Sequence, residues 1–128
     1  MRYQNNDIDL SIIIPAYNVE STIETVVKNI SKLIEDANVS YEIISVNDGS
    51  IDETLAILQK LEGKFNLSYV SYSENKGKGF AIRTGILSSH GKFVLYTDGD
   101  LDVSTNLILE YLKYLESYDI AIASKKHP

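Results

Sequence analysis

The sequence has no cysteine among its 128 residues. This absence excludes disulfide bonds, zinc-thiolate sites and cysteine nucleophiles, so any metal ion must bind through oxygen ligands or through the two histidines. The sequence also has no run of about 18 apolar residues, the length that a membrane-spanning helix requires. Residues 1–9 are polar and partly acidic, unlike a signal peptide. We therefore expect a cytoplasmic chain, or one held at the cytoplasmic face of a membrane by further segments of a longer protein.

Positive charge is also scarce, because 12 lysines and arginines stand against 18 aspartates and glutamates, for a net charge of −6. This balance repels a nucleic-acid backbone, and we expect no nucleic-acid partner. An acidic protein can still bind an anionic nucleotide if a metal ion supplies local positive charge. Hydrophobic residues make up 44% and charged residues 23%, which is typical of a globular chain. We expect one domain over residues 1–128.

Short β-branched runs alternate with helical segments along the whole sequence. Ser21 with Glu24 and Ser50 with Glu53 have the spacing of capping boxes and predict helix starts. A further helix is predicted over residues 80–89 and a last one after Ser104. The pattern predicts an α/β fold with three α/β/α layers and a mostly parallel sheet, because parallel neighbours need crossover helices. The expected strands are residues 11–16, 41–47, 67–72, 92–97 and 119–124.

Ligands of open parallel sheets bind beyond the carboxyl ends of the strands. Asp98, Asp100 and Asp102 follow an apolar strand there, and alternation along the chain would aim alternate side chains the same way. Converging carboxylates favour a hard divalent cation such as Mg²⁺ or Mn²⁺. A solvated turn between strand and helix is the alternative interpretation, because aspartate and glycine are also common turn residues.

Two further segments lie at the same predicted edge. Asp48 follows the second strand, where a carboxylate can accept the imide N–H of a base or simply favour a turn and helix start. The glycines and lysines of residues 75–79 suit phosphate, although an exposed loop has the same composition. His90 stands at a predicted helix end, where interaction with the helix dipole is favoured over a catalytic role.

Four motifs lie along the chain: Ser11-Ile-Ile-Ile-Pro-Ala-Tyr-Asn18, Val46-Asn-Asp-Gly-Ser-Ile-Asp-Glu-Thr54, Asn75-Lys-Gly-Lys-Gly79 and Tyr96-Thr-Asp-Gly-Asp100. Together, in order and in spacing, they resemble the family 2 glycosyltransferases of the GT-A fold. Within this family, the sequence most resembles the polyprenyl- and dolichyl-phosphate mannose and glucose synthases. The resemblance rests on the Gly-Lys-Gly loop and the segment Ala123-Ser124-Lys125. The resemblance implies that this chain is the Rossmann-like nucleotide-binding part of that fold.

The resemblance also implies roles for individual residues. Asp98 and Asp100 would hold Mg²⁺ or Mn²⁺ on the diphosphate of a UDP- or GDP-sugar, with Asp102 as a third ligand. Asp100 and Asp102 are the catalytic candidates. The family often has an acidic residue where this sequence has Val19. The residues expected to bind the nucleotide are Pro15, Ala16, Tyr17, Asn18, Asp48, Lys78 and Asp98.

The implied reaction is an inverting, metal-dependent transfer of the sugar to an acceptor. A lipid phosphate is the implied acceptor, and it needs no general base because it is already an anionic nucleophile. The sequence stops soon after the last predicted strand, so we expect it to lack an acceptor-binding part and any membrane segments beyond it. The alternatives are a saccharide acceptor, a nucleotide-sugar-binding fragment without transfer, and an aspartate-based phosphatase using Asp100.

Overall fold

The computed structural model describes residues 7–98 together with Glu110 and Lys113, which are both helical. Strands and helices alternate throughout the continuous part. The predicted last helix and the predicted strand at residues 119–124 lie outside the described residues, apart from those two positions. The elements are β1 (Leu10–Ala16), α1 (Ile23–Asp36), β2 (Tyr41–Asp48), α2 (Thr54–Leu61), β3 (Leu67–Tyr72), α3 (Lys78–Leu87) and β4 (Phe93–Tyr96).

The strands form a four-stranded sheet of order β3-β2-β1-β4, and every pairing is parallel. The chain adds β2 and β3 on one side of β1 and then returns to place β4 on the other side. This return makes a topological switch point between β1 and β4, where parallel α/β sheets open a crevice at their carboxyl ends. The predicted parallel α/β sheet is confirmed.

β1 is buried on both faces because helices cover both sides of the sheet. Ile12 and Ile14 belong to the core cluster that also contains Ile30 of α1 and Leu58 of α2. Ile13 points the other way, towards α3, and packs so closely on Gly85 that a Cβ added to this glycine would lie 2.3 Å from Ile13 Cγ2. A continuous apolar run is the sequence signature of such a strand. The resulting layers are α1 and α2, the sheet, and α3.

The helix starts differ from the predicted capping boxes. Thr22, not Ser21, is the N-cap of α1, and no side-chain capping bond is made there. At α2, it is Asp52 whose Oδ1 accepts the Thr54 N–H, at 2.9 Å. The Ser50 hydroxyl instead accepts the backbone N–H of Asn18, 3.0 Å away on a different loop. Both predicted boxes are therefore wrong, and at α2 the reason is that a tertiary contact outcompetes the local one.

The third helix also starts earlier than predicted, at Lys78 rather than Phe80, so that Gly77 becomes its N-cap. Among the described residues, none of the helices has the length and apolarity that a membrane crossing needs.

Candidate functional site

A cavity of about 480 Å³ opens at the carboxyl ends of β1 and β2. This is the edge of the sheet where the sequence predicts a ligand. The cavity is built from the ends of β1 and β2, the loop before α3 and the segment after β4. Its lining residues are Pro15, Ala16, Tyr17, Val19, Asp48, Asn75, Gly77, Lys78 and Asp98.

Most of the predicted nucleotide-binding residues are therefore brought together. Pro15, Ala16 and Tyr17 form the β1 side of the cavity, and the Tyr17 side chain is 47% exposed at its rim. Asn18 does not line the cavity: its Oδ1 accepts the Ile51 N–H at 2.9 Å, which joins the loop after β1 to the loop after β2. Val19 does line it, with an apolar side chain at the position where the family often has an acidic one.

Asp48 ends β2 and is only 3% exposed. Its Oδ1 accepts the backbone N–H of Lys76 at 2.8 Å, and its Oδ2 accepts the Gly77 N–H and the Asn75 side-chain amide, both at 3.1 Å. Charge-assisted bonds of this kind compensate a buried carboxylate for lost hydration. Asp48 thus acts at a helix start, as one interpretation of the sequence proposed, but the helix is α3 and not the α2 that follows it.

Gly49 makes this arrangement sterically feasible. Its φ is +70°, and a Cβ there would lie 2.3 Å from the backbone nitrogen of Asn75. Only glycine allows both that backbone conformation and the close approach of the two loops. The Asn75 side chain, whose amide also lies 3.2 Å from the Asp48 carbonyl oxygen, closes the contact. Sequence reasoning did not single out Asn75 or Gly77 as separate site residues.

Lys78 and Asp98, which both line the cavity, form an ion pair. The distance from Lys78 Nζ to Asp98 Oδ1 is 2.5 Å. Lys78 is the first residue of α3, and Asp98 follows β4 by two residues, so the pair joins the start of α3 to the segment after the next strand. The Lys78 side chain is 55% exposed and that of Asp98 32%, which leaves both within reach of a ligand.

Tyr72, at the end of β3, stands beside Asp48 in the sheet register. Its hydroxyl is buried with no hydrogen-bond partner among the described residues. Burial raises the pKa of the Tyr72 phenol above its ordinary value, and the nearby Asp48 carboxylate adds to the effect. The Tyr72 ring packs edge-on against Phe80, with ring centroids 5.5 Å apart. Sequence reasoning missed Tyr72, because its side-chain environment depends on two other segments.

The predicted metal site is described only in part, since Asp100 and Asp102 lie outside the described residues. Within the described part, no group of three or more acidic or histidine side chains could hold a metal ion. The chemistry of Asp98 nonetheless suits a metal ligand. It is a carboxylate that lines the cavity and already faces a cation, the Lys78 ammonium. Carboxylate oxygens are the ligands that Mg²⁺ and Mn²⁺ prefer.

His90 lies at the amino-terminal edge of the sheet, away from the cavity. Its backbone N–H donates to Glu42 Oε2 at 2.6 Å, and its Nδ1 lies 3.1 Å from Glu42 Oε1. Ser11, which pairs with Glu42 in the sheet, also donates to Oε2 at 2.6 Å. These contacts indicate a structural role for His90, which joins the segment before β4 to β2.

Comparisons with known proteins agree with this geometry. The profile described as "Glycosyl transferase family 2" matches residues 11–127. A putative glycosyltransferase of Bacillus subtilis, CsbB, is 36% identical over 118 residues, which cover 91% of this chain and 36% of that protein. The dolichyl-phosphate beta-glucosyltransferase of Saccharomyces cerevisiae is 37% identical over 103 residues, which cover 75% of this chain and 31% of that protein. The chain belongs to glycosyl transferase family 2.

The chain spans about a third of the length of the curated relatives it matches. Among solved structures, residues 1–349 of Staphylococcus aureus TarS in complex with UDP-GlcNAc superpose with a TM-score of 0.69 at 26% identity, over 88% of this chain and 32% of that one. Mannosyl-3-phosphoglycerate synthase from Rubrobacter xylanophilus, at 24% identity, shares the fold with a TM-score of 0.71, over 86% of this chain and 37% of that one. The fold is that of GT-A glycosyltransferases, which argues against the phosphatase alternative.

Proposed function

We propose that this chain binds the nucleoside diphosphate of a UDP- or GDP-sugar, and that the protein containing it transfers the sugar, with inversion, to a polyprenyl or dolichyl phosphate. The observation that carries the proposal is a cavity lined by Asp48, Lys78 and Asp98 together. Named relatives add support for the acceptor, because several are dolichyl-phosphate beta-glucosyltransferases. The TarS complex with UDP-GlcNAc supports the class of donor.

Asp48 and Tyr17 are assigned to the nucleoside. An ionised carboxylate offers about four acceptor positions, and Asp48 uses two of them on Oδ2 and one on Oδ1 for the loop before α3. Oδ1 therefore retains one position for the imide N–H of uracil or the N1–H of guanine. The exposed ring of Tyr17 offers an apolar face at the rim of the same cavity. Pro15 and Ala16 complete this side of the nucleoside site.

Lys78 and Asp98 are assigned to the diphosphate, together with Asp100 and Asp102. The three aspartates would hold Mg²⁺ or Mn²⁺, which when bound neutralises negative charge on the departing nucleoside diphosphate. The Lys78 ammonium supplies a second positive charge on the same side of the cavity. In the reaction, an oxygen of the acceptor phosphate attacks the anomeric carbon from the face opposite the diphosphate, and the bond from that carbon to the diphosphate breaks.

Calorimetry on the purified chain tests donor binding. We expect UDP or GDP to bind with Mn²⁺ present, and EDTA to weaken the affinity strongly. Asp98→Asn and Asp100→Ala should each weaken Mn²⁺-dependent nucleotide binding by about 10-fold or more, because each removes a charged ligand. Asp36→Asn, an exposed carboxylate at the end of α1, serves as the matched control. Nucleotide affinity that does not depend on the metal, or that is unchanged in Asp100→Ala, would refute the site assignment.

Transfer is tested with the longer protein that contains this chain. Radiolabelled sugar should move from the nucleotide to the organic phase when a polyprenyl phosphate is supplied. Label that reaches a soluble saccharide instead would favour the saccharide acceptor. Intact nucleotide binding without transfer to either acceptor would favour a nucleotide-sugar-binding role.

A further inference from the structure

The ion pair in the cavity lining joins Lys78 and Asp98, the two described residues that the proposed function assigns to metal and diphosphate. The carboxylate that faces the Lys78 ammonium at 2.5 Å is the group through which Asp98 would bind a divalent cation. An ammonium and a divalent cation repel each other strongly at contact distance on one carboxylate. Binding of the metal to Asp98 therefore competes with the ion pair.

We propose that Lys78 is an exchangeable cation: it neutralises Asp98 in the empty cavity, gives way to the divalent metal, and then pairs with the diphosphate. The inference rests on the proposed function and adds a coupling between metal and nucleotide. Each ligand removes an obstacle for the other, since the metal frees the ammonium and the diphosphate supplies it with a new anionic partner. Linkage requires that the two ligands raise each other's affinity by the same factor.

The side chain of Lys78 is suited to this exchange. Its backbone is anchored at the start of α3, where the Ala81 N–H bonds to the Gly77 carbonyl oxygen at 3.1 Å. Beyond that anchor a flexible four-carbon stem carries a charge with three rotatable donors, and more than half of the side chain is exposed. The ammonium can therefore change partner within the cavity without movement of the helix.

Asp98 is the carboxylate that such an exchange would use. The other carboxylate among the described residues that line the cavity, Asp48, is buried and already accepts hydrogen bonds from the backbone of Lys76 and Gly77. Breaking those bonds would undo the loop that shapes the cavity. Asp98 is less buried, and within residues 7–98 its carboxylate forms an ion pair with Lys78.

Isothermal titration of Mn²⁺, with and without UDP or GDP, tests the exchange in the 128-residue chain. Lys78→Met removes the ammonium and keeps an unbranched side chain. Without nucleotide, we expect this variant to bind Mn²⁺ about 2- to 5-fold more tightly than the wild type, the range that an exposed ion pair is worth. With Mn²⁺ saturating, its nucleotide affinity should fall by about 10-fold, as expected for loss of a charged hydrogen bond. The factor by which each ligand strengthens the other should shrink.

Lys28→Met is the matched control, because Lys28 also forms an ion pair, 2.7 Å from Glu24, but on the exposed face of α1. Its Mn²⁺ and nucleotide affinities should equal those of the wild type. Lys78→Met with unchanged or weakened Mn²⁺ affinity would overturn the exchange, while nucleotide binding by the wild type would leave the proposed function standing. A wild-type chain that binds neither Mn²⁺ nor nucleotide would overturn both.

A second measurement needs no variant. Side-chain NMR of the wild-type chain should show the Lys78 Nζ and Cε resonances shift when Mg²⁺ alone is added, and shift again when the nucleoside diphosphate follows. The Lys28 resonances should stay in place. Lys78 resonances that do not respond to Mg²⁺ would also overturn the exchange.

Discussion

The carboxylate of Asp48 accepts the backbone N–H of Lys76 at 2.8 Å, although the two residues are 28 positions apart. The bond ties the end of β2 to the loop before α3, and both segments line the cavity or adjoin it. Asp48 therefore shapes the wall of the cavity as well as offering an acceptor to a ligand.

Replacing Asp48 with asparagine should cost about 1.5–3 kcal/mol in free energy of unfolding, the usual contribution of hydrogen bonds to a charged group. The amide nitrogen of asparagine cannot accept the loop N–H groups. Urea denaturation measures the loss of stability. Hydrogen exchange should show the amides of Lys76 and Gly77 protected in the wild type and much less protected in the variant. Nucleotide affinity should fall as well.

Asp52→Asn is the control for Asp48, since Asp52 also accepts backbone N–H groups, those of Thr54 and Glu20. It should leave the exchange of the Lys76 and Gly77 amides unchanged. Equal protection of those amides in wild type and Asp48→Asn would contradict the assigned role.

Alanine substitutions at Gly49 and Gly63 distinguish the effect of loop contact on stability from the effect of backbone conformation. Their φ values, +70° and +81°, are similar, but a Cβ at Gly49 meets the Asn75 backbone whereas nothing lies within 4 Å of one at Gly63. Gly63→Ala should cost about 1–2 kcal/mol for the left-handed conformation alone. Gly49→Ala should cost about 1–3 kcal/mol more, because the loops must move apart. Equal melting behaviour of the two variants would show that the loops do not touch.

Tyr72 should make the protein sensitive to alkaline pH. The pKa of its phenol is raised in the folded state, so above the ordinary tyrosine pKa of about 10 the unfolded chain loses the proton first. The unfolded state then binds fewer protons than the folded state, and stability falls as the pH rises further. Tyr72→Phe should reduce this decline when free energies of unfolding are compared between about pH 9 and about pH 11.

At neutral pH the same variant should be no less stable than the wild type, because it removes a buried hydroxyl that has no partner among the described residues. Tyr41→Phe is the contrast. The Tyr41 hydroxyl bonds to Ser31 at 2.6 Å and to Glu35 at 2.7 Å, so its loss should cost about 1 kcal/mol at neutral pH. A Tyr72→Phe variant that is clearly destabilised at neutral pH would show that the Tyr72 hydroxyl donates to the neighbouring Asp48 carboxylate.

Glu42 should matter for stability and not for nucleotide binding. It joins Ser11 and His90 at the amino-terminal edge of the sheet, opposite the cavity. Glu42→Gln should cost about 1–3 kcal/mol by thermal or urea unfolding, since hydrogen bonds to a neutral amide are weaker than those to a carboxylate. The affinity for UDP or GDP should match that of the wild type. Exposed Glu62 offers the control Glu62→Gln, with little change in either quantity. Weaker nucleotide binding in Glu42→Gln would contradict the separation of the two edges.

The sequence by itself determined the alternation of strands and helices, the parallel sheet and the family. Residues 67–72 were predicted as a strand with the bounds that β3 has, and β1 differs from its prediction by one residue. The alternation and the sheet follow from local periodicity, which depends on which faces of an element are buried, whereas the family follows from the four motifs. The edge that holds the cavity was also predictable, because parallel strands end together at one side of the sheet.

Only the tertiary structure decided which polar groups became partners. Ser50 bonds to Asn18 rather than capping its own helix, Asp48 serves α3, and Lys78 pairs with Asp98. A hydrogen bond or ion pair depends on distances of a few ångströms between segments that are far apart in the chain, and local residue preferences contain no information on those distances. Hydrophobic periodicity therefore specified the layers of this protein, whereas the folded arrangement of its loops specified the contacts of the site.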